Sequence, residues 1–501
     1  MIKKILIANR GEIAIRVMNT CREMGIQTVA VYSEADYSSL HVSYADEAYC
    51  IGPAPSAESY LNIEKIIEVA KKTGADAIHP GYGFLSENAK FSQRCKDENI
   101  IFIGPAPYAI DTMGDKITAR KTMMDAGVPV VPGTKEPITD LDDAVKVIKE
   151  IGLPVMVKAS AGGGGKGMRL VEKEEDIISS VKAAKSEALS AFGNDAVYVE
   201  KYISSPHHIE FQVLADNHGN CVHLFERECS VQRRHQKVVE ETPSPIMTEE
   251  VRKEMGKHAV AAAQAVNYSG AGTIEFITDD NLNYYFLEMN TRLQVEHPIT
   301  EEVVGLDLVK EQIKIANGEK LSFKQEDLGQ RGHAIEVRIY AEDPDNNFMP
   351  NPGKIEHIQF PLGPGIRNDT YVYNGFEIPI YYDPMISKLV VWGANRSDAI
   401  QRMKRALKVF KINGVKTSIP FLYQIMEVES FVKGRYTTHF IQNNEQELKM
   451  RADCNMECAE IGTIVAFLDY MNKREAKLSS INEESASSKW KESGRKFRFL
   501  I

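Results

Sequence analysis

The chain has 501 residues, room for about three domains at roughly 100–200 residues each. Hydrophobic residues make up 43% and charged residues 26%, ordinary for a soluble globular protein, and 60 basic against 70 acidic residues give a net charge of −10, which argues against a dedicated nucleic-acid binder. No run of about 18 apolar residues occurs, the opening apolar stretch is too short for a signal peptide, and the 7 cysteines form no C-x-x-C pair; a membrane protein, a secreted disulfide scaffold, a fibre and a disordered chain are excluded, and a cytoplasmic setting with buried free thiols is expected.

Residues 2–8 read as a buried strand, followed by the polar turn NRGE. Ile13, Val17, Cys21 and Met24 then recur at helical spacing up to Gly25, and residues 27–33 form a second strand. This strand–helix–strand opening predicts a parallel sheet with helices on its faces. A helix over 60–73, a strand over 75–80, the loop GYGFLSEN, a helix over 88–98 and a strand over 100–105 continue it, so residues 1–113 form one α/β domain. The first turn holds only Gly11, and the G-x-G-x-x-G dinucleotide fingerprint is absent there. A helix over 115–126 precedes the turn VPVVPG. Residues 130–205 read as a small α/β unit; strands then predominate to about 300, with one helix at 249–266. Residues 333–440 read as α+β with a helix near 397–410. After 445 the chain changes character: a helix over 459–478, with Cys454 and Cys458 just before it at a spacing that suits one helix face, then a low-complexity stretch and a basic, aromatic end. That end is either frayed or a docking segment for another chain.

The stretch LPVMVKASAGGGGKGMRLV alternates like a strand, loosens over Gly162 to Gly165, and resumes as a strand. Gly162, Gly164 and Gly167 match G-x-G-x-x-G, but a strand follows where a helix N-terminus should hold pyrophosphate. The Walker A pattern fails too. What remains is a glycine-tipped hairpin, either a floppy loop or a lid whose N–H groups cradle phosphates with Lys158 beside them.

Strands 270–279 and 283–290 flank a turn. A turn centred between Asn281 and Leu282 pairs Thr278 with Tyr285 and places Glu275 across from Glu288. Period two puts Glu275, Glu288 and Asn290 on one face and Ile274, Phe276, Leu287 and Met289 on a core face. Opposed carboxylates repel unless a divalent cation lies between them. If the chain stays extended, Arg292, Gln294 and Glu296 continue the polar face, a cation, an amide and a carboxylate suited to binding a small oxyanion and moving its proton. Taken alone, the charge-dense block 226–241 reads as a solvated face, and His79 and His297 read as structural histidines.

On these motifs (the hairpin with EMNTRLQVEHPIT, KASAGGGGKGM, RECSVQRRHQKVVEE, ILIANRGEIAIR and HPGYGFLSEN) the chain resembles biotin carboxylases of the ATP-grasp superfamily from residue 2 to about 445. The resemblance implies a mixed α/β and α+β fold. It comprises a Rossmann-like parallel-sheet domain (1–113), an ATP-grasp domain (114–318) with a glycine-rich lid unit (130–205), and an α+β C-terminal domain (333–440); residues 445–501 are an extension for possible subunit docking. It implies that ATP phosphorylates bicarbonate to carboxyphosphate and that the carboxyl group passes to biotin on another protein. By the same resemblance Lys116, Lys158, Gly163, Gly164 and Gly165 bind ATP phosphates, Glu200, Lys201 and Ile203 form the adenine hinge, and His208, Gln232 and His235 lie around the nucleotide. Glu275, Glu288 and Asn290 hold Mg²⁺ or Mn²⁺. Lys237, Arg292, Gln294 and the Val295 backbone form the bicarbonate pocket, Glu296 is the base, Arg338 stabilises the biotin enolate, and Tyr82 borders biotin.

No Ala-Met-Lys-Met attachment motif occurs, and only about 55 residues follow the resembling region. The expectation is a stand-alone biotin carboxylase chain that forms a homodimer within a hetero-oligomer, served by a separate biotin-carrier and carboxyltransferase chain, with no nucleic-acid or membrane partner. The length resembles the biotin-carboxylating chain of two-subunit pyruvate carboxylases; acetyl-CoA and propionyl-CoA carboxylases, another ATP-grasp carboxylate–amine ligase and a non-catalytic nucleotide-binding module are the alternatives.

Overall fold

Buried apolar runs joined by amphipathic helices give the first sheet. In the computed structural model, which describes residues 1–134, 138, 140–159, 168–192, 196–449, 462–471 and 473, the strands β1 (Lys4–Ile7), β2 (Gln27–Ser33), β3 (Glu47–Gly52), β4 (Ala77–His79) and β5 (Ile101–Phe102) are all parallel, in the order β3-β2-β1-β4-β5. Helices Gly11–Glu23, Ile63–Thr73 and Ala89–Asp97 make crossovers. Asn62 and Asn88 start the latter two by accepting hydrogen bonds from the Lys65 and Phe91 amides. The strand order reverses between β1 and β4, where open α/β sheets place their crevice. There the Asn9 side-chain amide donates to the Pro80 and Tyr82 carbonyls, both at 2.7 Å, locking the two loops together.

The small unit that follows is a three-stranded antiparallel sheet: β6 (Val155–Ala159), β7 (Met168–Val171) and β8 (Val197–Lys201), in the order β7-β6-β8. Helices Leu141–Ile151 and Ile177–Phe192 cover it. β6 and β7 pair as the expected hairpin; its tip, 160–167, lies outside the described residues.

The largest sheet comprises β9 (His207–Ala215), β10 (Cys221–Arg233), β11 (Gln236–Thr242), β12 (Gly270–Thr278), β13 (Tyr284–Asn290), β14 (His333–Tyr340), β15 (Ile366–Thr370) and β16 (Met385–Gly393). Its order, β13-β12-β9-β10-β11-β14-β16-β15, joins segments far apart in sequence through the β11–β14 pair. The block 226–241 forms its central hairpin and is not a solvated face. Glu226, Arg227, Glu228, Glu240 and Glu241 are all buried, because neighbouring strands flank them on both sides.

The β12–β13 hairpin corrects the expected register. The Asp279 carboxylate accepts from the Asn281 and Asn283 amides, each at 2.9 Å, tightening the turn so that Thr278 pairs with Tyr284 and not with Tyr285. A bulge at Leu287 then adds back one residue and restores Glu275 opposite Glu288. Phe286 therefore takes the core place, and Leu287 is 46% exposed. Nor does the chain stay extended after Asn290. It turns, and Glu296 is the N-cap of helix His297–Val304, whose Pro298 suits a first turn.

Residues 1–448 form one compact unit and 449–501 another; in the second, residues 462–471 are helical, and Cys454 and Cys458 lie outside the described residues. Cys21, Cys95 and Cys229 are buried free thiols as expected, whereas Cys50 is exposed. Among the described residues no helix is long and apolar enough to cross a membrane.

Candidate functional site

Two adjoining spaces collect the candidate residues. The first is a cleft of about 390 Å³ between the small unit and β13, lined by Glu87, Lys116, Lys158, Glu200, Glu288 and Asn290 among others. Lys116 opens helix Lys116–Asp125, whose start is fixed by the Asp115 side chain accepting from the Thr118 amide at 2.8 Å. Lys158 on β6 is ion-paired with Glu200 on β8, which alternation carries to the same face. Lys201 points the other way, its ammonium held by the Gly152 and Leu153 carbonyls at 2.9 and 3.0 Å. Ile203 is half-buried and does not line the cleft; Gly163, Gly164 and Gly165 lie outside the described residues.

Deeper in, Lys237 is the hub. Its ammonium donates to Glu296 at 2.6 Å, to Glu275 at 3.0 Å and to Glu210. Glu275 also accepts from the Asn290 and Gln294 amides at 2.8 and 3.0 Å, and its other oxygen lies 2.8 Å from His208 Nε2. Burial disfavours the Glu275 anion, but Lys237 and His208 outweigh it and hold its pKa well below the usual range. In return His208, despite burial, is raised by Glu275. Gln232 completes this corner at 3.0 Å from His208 Nδ1. His235 does not join: it sits exposed at the tip of the β10–β11 turn, at φ +65°.

Glu288 faces the open cleft. Among the described residues it has no hydrogen-bond or ion-pair partner, and burial and then Glu275 push its pKa up. A carboxylate opposed to another and left unpaired at a cleft edge fits a cation site.

The second space, about 500 Å³, lies at the crevice of the parallel sheet and is lined by Arg10, Tyr82, Arg292, Val295, Arg338 and Tyr382 among others. Arg292 donates to Glu87 at 2.9 Å, to Gln294 at 2.9 Å and to Asn290 at 2.8 Å. Arg338 Nη2 donates to Glu296 at 3.0 Å. Glu296 is fully buried; burial favours its neutral form, yet Lys237, Arg338 and Arg227 keep it ionised, well below the carboxylate range. The Tyr82 hydroxyl donates to Glu12, and the Val295 carbonyl accepts from Lys388 at 2.8 Å.

The turn after β13 thus reaches the expected cluster by bending rather than by strand alternation. Sequence reasoning missed five members. Glu87, next to last in the loop GYGFLSEN, anchors Arg292 and the Thr291 amide, each at 2.9 Å. Arg227, wholly buried, donates to Glu210, to Gln212 at 2.8 Å and to Thr273 at 3.0 Å. Glu240 holds Arg338 Nε at 2.7 Å. Lys388 is buried with Glu12 at 3.2 Å. The alternation of β9 (His208, Glu210, Gln212 against Ile209, Phe211, Val213) is a usable signal for Glu210. His79 and His297 are structural: His79 Nδ1 accepts from the Gly81 amide at 3.0 Å, and His297 Nδ1 lies 2.7 Å from the Gln294 carbonyl.

Known families match the chain in three consecutive stretches. The family profiles described as biotin carboxylase N-terminal domain, carbamoyl-phosphate synthase L chain ATP-binding domain and biotin carboxylase C-terminal domain match residues 1–110, 115–324 and 336–443. The chain belongs to the biotin carboxylase family, with an ATP-grasp fold, and is an ATP-dependent ligase. It is 57% identical to biotin carboxylase 1 of Bacillus subtilis over 443 residues, 88% of this chain and 98% of that one. It is 58% identical to a pyruvate carboxylase subunit of Methanothermobacter thermautotrophicus over 442 residues, 88% of this chain and 90% of that one. Among solved structures it superposes on the Hydrogenobacter thermophilus 2-oxoglutarate carboxylase biotin carboxylase domain dimer, in complex with MgADP, ADP and bicarbonate. The TM-score is 0.80 at 49% identity, covering 90% of this chain and 99% of that one.

Proposed function

We propose that this chain carboxylates biotin on a separate carrier chain, through carboxyphosphate formed from ATP and bicarbonate, as the biotin carboxylase component of a pyruvate carboxylase. The observation that carries the reaction is the Lys237–Glu296–Arg338 cluster between the nucleotide cleft and the tyrosine-rich crevice. For the pyruvate branch the support is the M. thermautotrophicus relative, a pyruvate carboxylase subunit 58% identical to this chain over 442 residues. Residues 449–501 are then the segment that docks the partner chain.

In this reading Lys116, Lys158 and the lid glycines Gly163, Gly164 and Gly165 take the ATP phosphates. Glu200 and the backbone of Lys201 and Ile203 take the base, with His208, Gln232 and His235 around the nucleotide. Glu275, Glu288 and Asn290 would hold Mg²⁺ or Mn²⁺, which when bound neutralises phosphate charge. Lys237, Arg292, Gln294 and the Val295 amide hold bicarbonate. Glu296 takes its proton. Lys237, one of the two cations on Glu296, is also one of the groups proposed to hold bicarbonate, so an incoming bicarbonate shares it and raises the proton affinity of Glu296 as it binds. Arg338, steered by Glu240, offers a fixed guanidinium to the oxygen of biotin as negative charge grows there, and Tyr82 borders the ring. Carboxyphosphate hydrolyses readily, which is the use of a lid over the cleft.

The test is ADP release from the purified chain with MgATP, varying bicarbonate and free biotin separately. Stimulation that needs both is expected; none with either would overturn the reading. With the partner chain added, pyruvate should consume the carboxyl group, and consumption of an acyl-CoA instead would overturn the pyruvate branch.

A further inference from the structure

The sheet holds a second pair of opposed glutamates, and it is built unlike the first. Glu240 on β11 lies directly across from Glu336 on β14. Both are fully buried. Where Glu275 has three hydrogen-bond donors and an ion pair with His208, and Glu288 has an open cleft, Glu336 has, among the described residues, no hydrogen-bond partner on either oxygen, and Glu240 has none on Oε2. The neighbouring cations are committed elsewhere. Arg338 donates to Glu240 Oε1 and Glu296, and Lys388 to the Val295 carbonyl while pairing with Glu12. Lys237 is shared among Glu210, Glu275 and Glu296. The other ionisable groups around the pair are Tyr82, the buried Cys229 thiol and Tyr340, the last two raised mainly by burial and in part by Glu240, and, on the helix behind β14, buried His297, which burial keeps neutral.

Two buried carboxyls facing each other without a cation between them do not both ionise. One that keeps its proton has an O–H to donate, and the orphan acceptor directly across is Glu240 Oε2. We infer that Glu336 and Glu240 share a single proton, and that the pair is the positioning device that holds the Arg338 guanidinium for carboxylation of biotin. The direction of the two groups agrees: burial, and then Glu240, lifts Glu336 well above the carboxylate range despite Lys388, and burial raises Glu240 to about 7 against the pull of Arg338. The sign follows. As pH falls through that region Glu240 takes a second proton, its charge-assisted bond to Arg338 Nε is lost, and the guanidinium is freed to swing. The positioning half rests on the biotin carboxylase reading; the shared proton does not.

Two measurements test it. At pH 8, where ordinary carboxyls are ionised, the infrared spectrum of the wild-type chain should show a protonated buried carboxyl that Glu336→Gln removes. No such band, or a band that survives the substitution, overturns the shared proton. In kinetics, Glu240→Gln should lower the ratio of biotin-dependent to biotin-independent ADP release about tenfold. It should also abolish the decline of that ratio as pH drops through about 7. Equal loss of both activities, or a decline that persists, shows a merely structural carboxylate and overturns the positioning role. If the wild-type chain shows no biotin-dependent release at all, the proposed function and the positioning role fall together, and the infrared result alone still decides the pair.

Discussion

Replacing Glu296 by Gln tests its proposed proton-accepting role. The side chain is fully buried and bonded by Lys237 at 2.6 Å and Arg338 at 3.0 Å. Gln preserves volume but cannot take a proton. The fold should survive, because Lys237 keeps Glu210 and Glu275 and Arg338 keeps Glu240. The loss of charge-assisted bonds costs about 1.5–3 kcal/mol of stability. A positioned general base is worth roughly 10²–10⁴-fold, or about 3–5 kcal/mol of barrier. Of the groups proposed to hold MgATP, Lys116, Lys158, Glu200, Glu288 and Asn290 line the separate cleft and none of them bonds Glu296, so its dissociation constant should move by less than about threefold, within roughly 0.6 kcal/mol. Bicarbonate-dependent ADP release and equilibrium MgATP binding, measured on the same preparation, give both quantities. A loss of turnover below about tenfold, with binding intact, would remove Glu296 as the base.

Three further outcomes are expected. Glu241 accepts from His333 at 2.6 Å, from Arg396 at 2.7 and 2.9 Å and from Tyr436, and these partners, against burial, hold it near 2 instead of 4.5. Because the folded value is depressed, the stabilisation is present above pH 4.5 and is lost as pH falls toward 2. At about 1.4 kcal/mol per pH unit of depression it is worth about 3 kcal/mol. Urea unfolding at pH 7 should find Glu241→Gln weaker by that amount, with the gap closing below pH 4.5; no gap at pH 7, or one that stays constant through the acid range, contradicts the assignment. Glu288→Gln should raise the Mg²⁺ concentration for half-maximal ATP cleavage by about tenfold or more, and an unchanged Mg²⁺ titration would remove Glu288 from the cation site. A chain ending at Leu448 should keep turnover with free biotin and lose at least about tenfold in affinity for the partner chain, about 1.4 kcal/mol in a binding titration; undiminished binding would rule out the extension as the docking segment.

Much of the fold was legible because its signals are local. Period two and period 3.6 mark β1, helix Gly11–Glu23 and β2. The Glu275–Glu288 opposition was legible for a less secure reason. The expected pairing of Thr278 with Tyr285 was one residue off, and the bulge at Leu287 cancelled the error. A turn built by an Asp side chain and a compensating bulge leave no periodic trace. Arg227, Glu240 and Lys388 were illegible for another reason. A buried charge and a solvated charge are the same letter, and only the sheet order separates them. β9 lies between β10 and β12, so Glu210 meets both Arg227 from one side and, through Lys237, Glu275 from the other.

That order also explains why the site's cations are already paired. Lys237 and Arg338 are embedded among acids brought in by four strands (Glu210, Glu240, Glu275 and Glu336) and a helix cap (Glu296). A buried lysine with no anion beside it sheds its proton, so the acids are what keep it charged at neutral pH. Burial alone opposes the Lys237 cation, and Glu210, Glu275 and Glu296 reverse that effect. The same acids weaken the grip on a ground-state anion, since bicarbonate must share cations that carboxylates already hold. On the proposed roles, charge that develops after Glu296 accepts a proton meets those cations with one competitor fewer, Glu210 and Glu275 still holding Lys237 and Glu240 still holding Arg338. An arrangement of this kind favours the reacting state over the bound substrate, which is the condition for binding energy to accelerate chemistry.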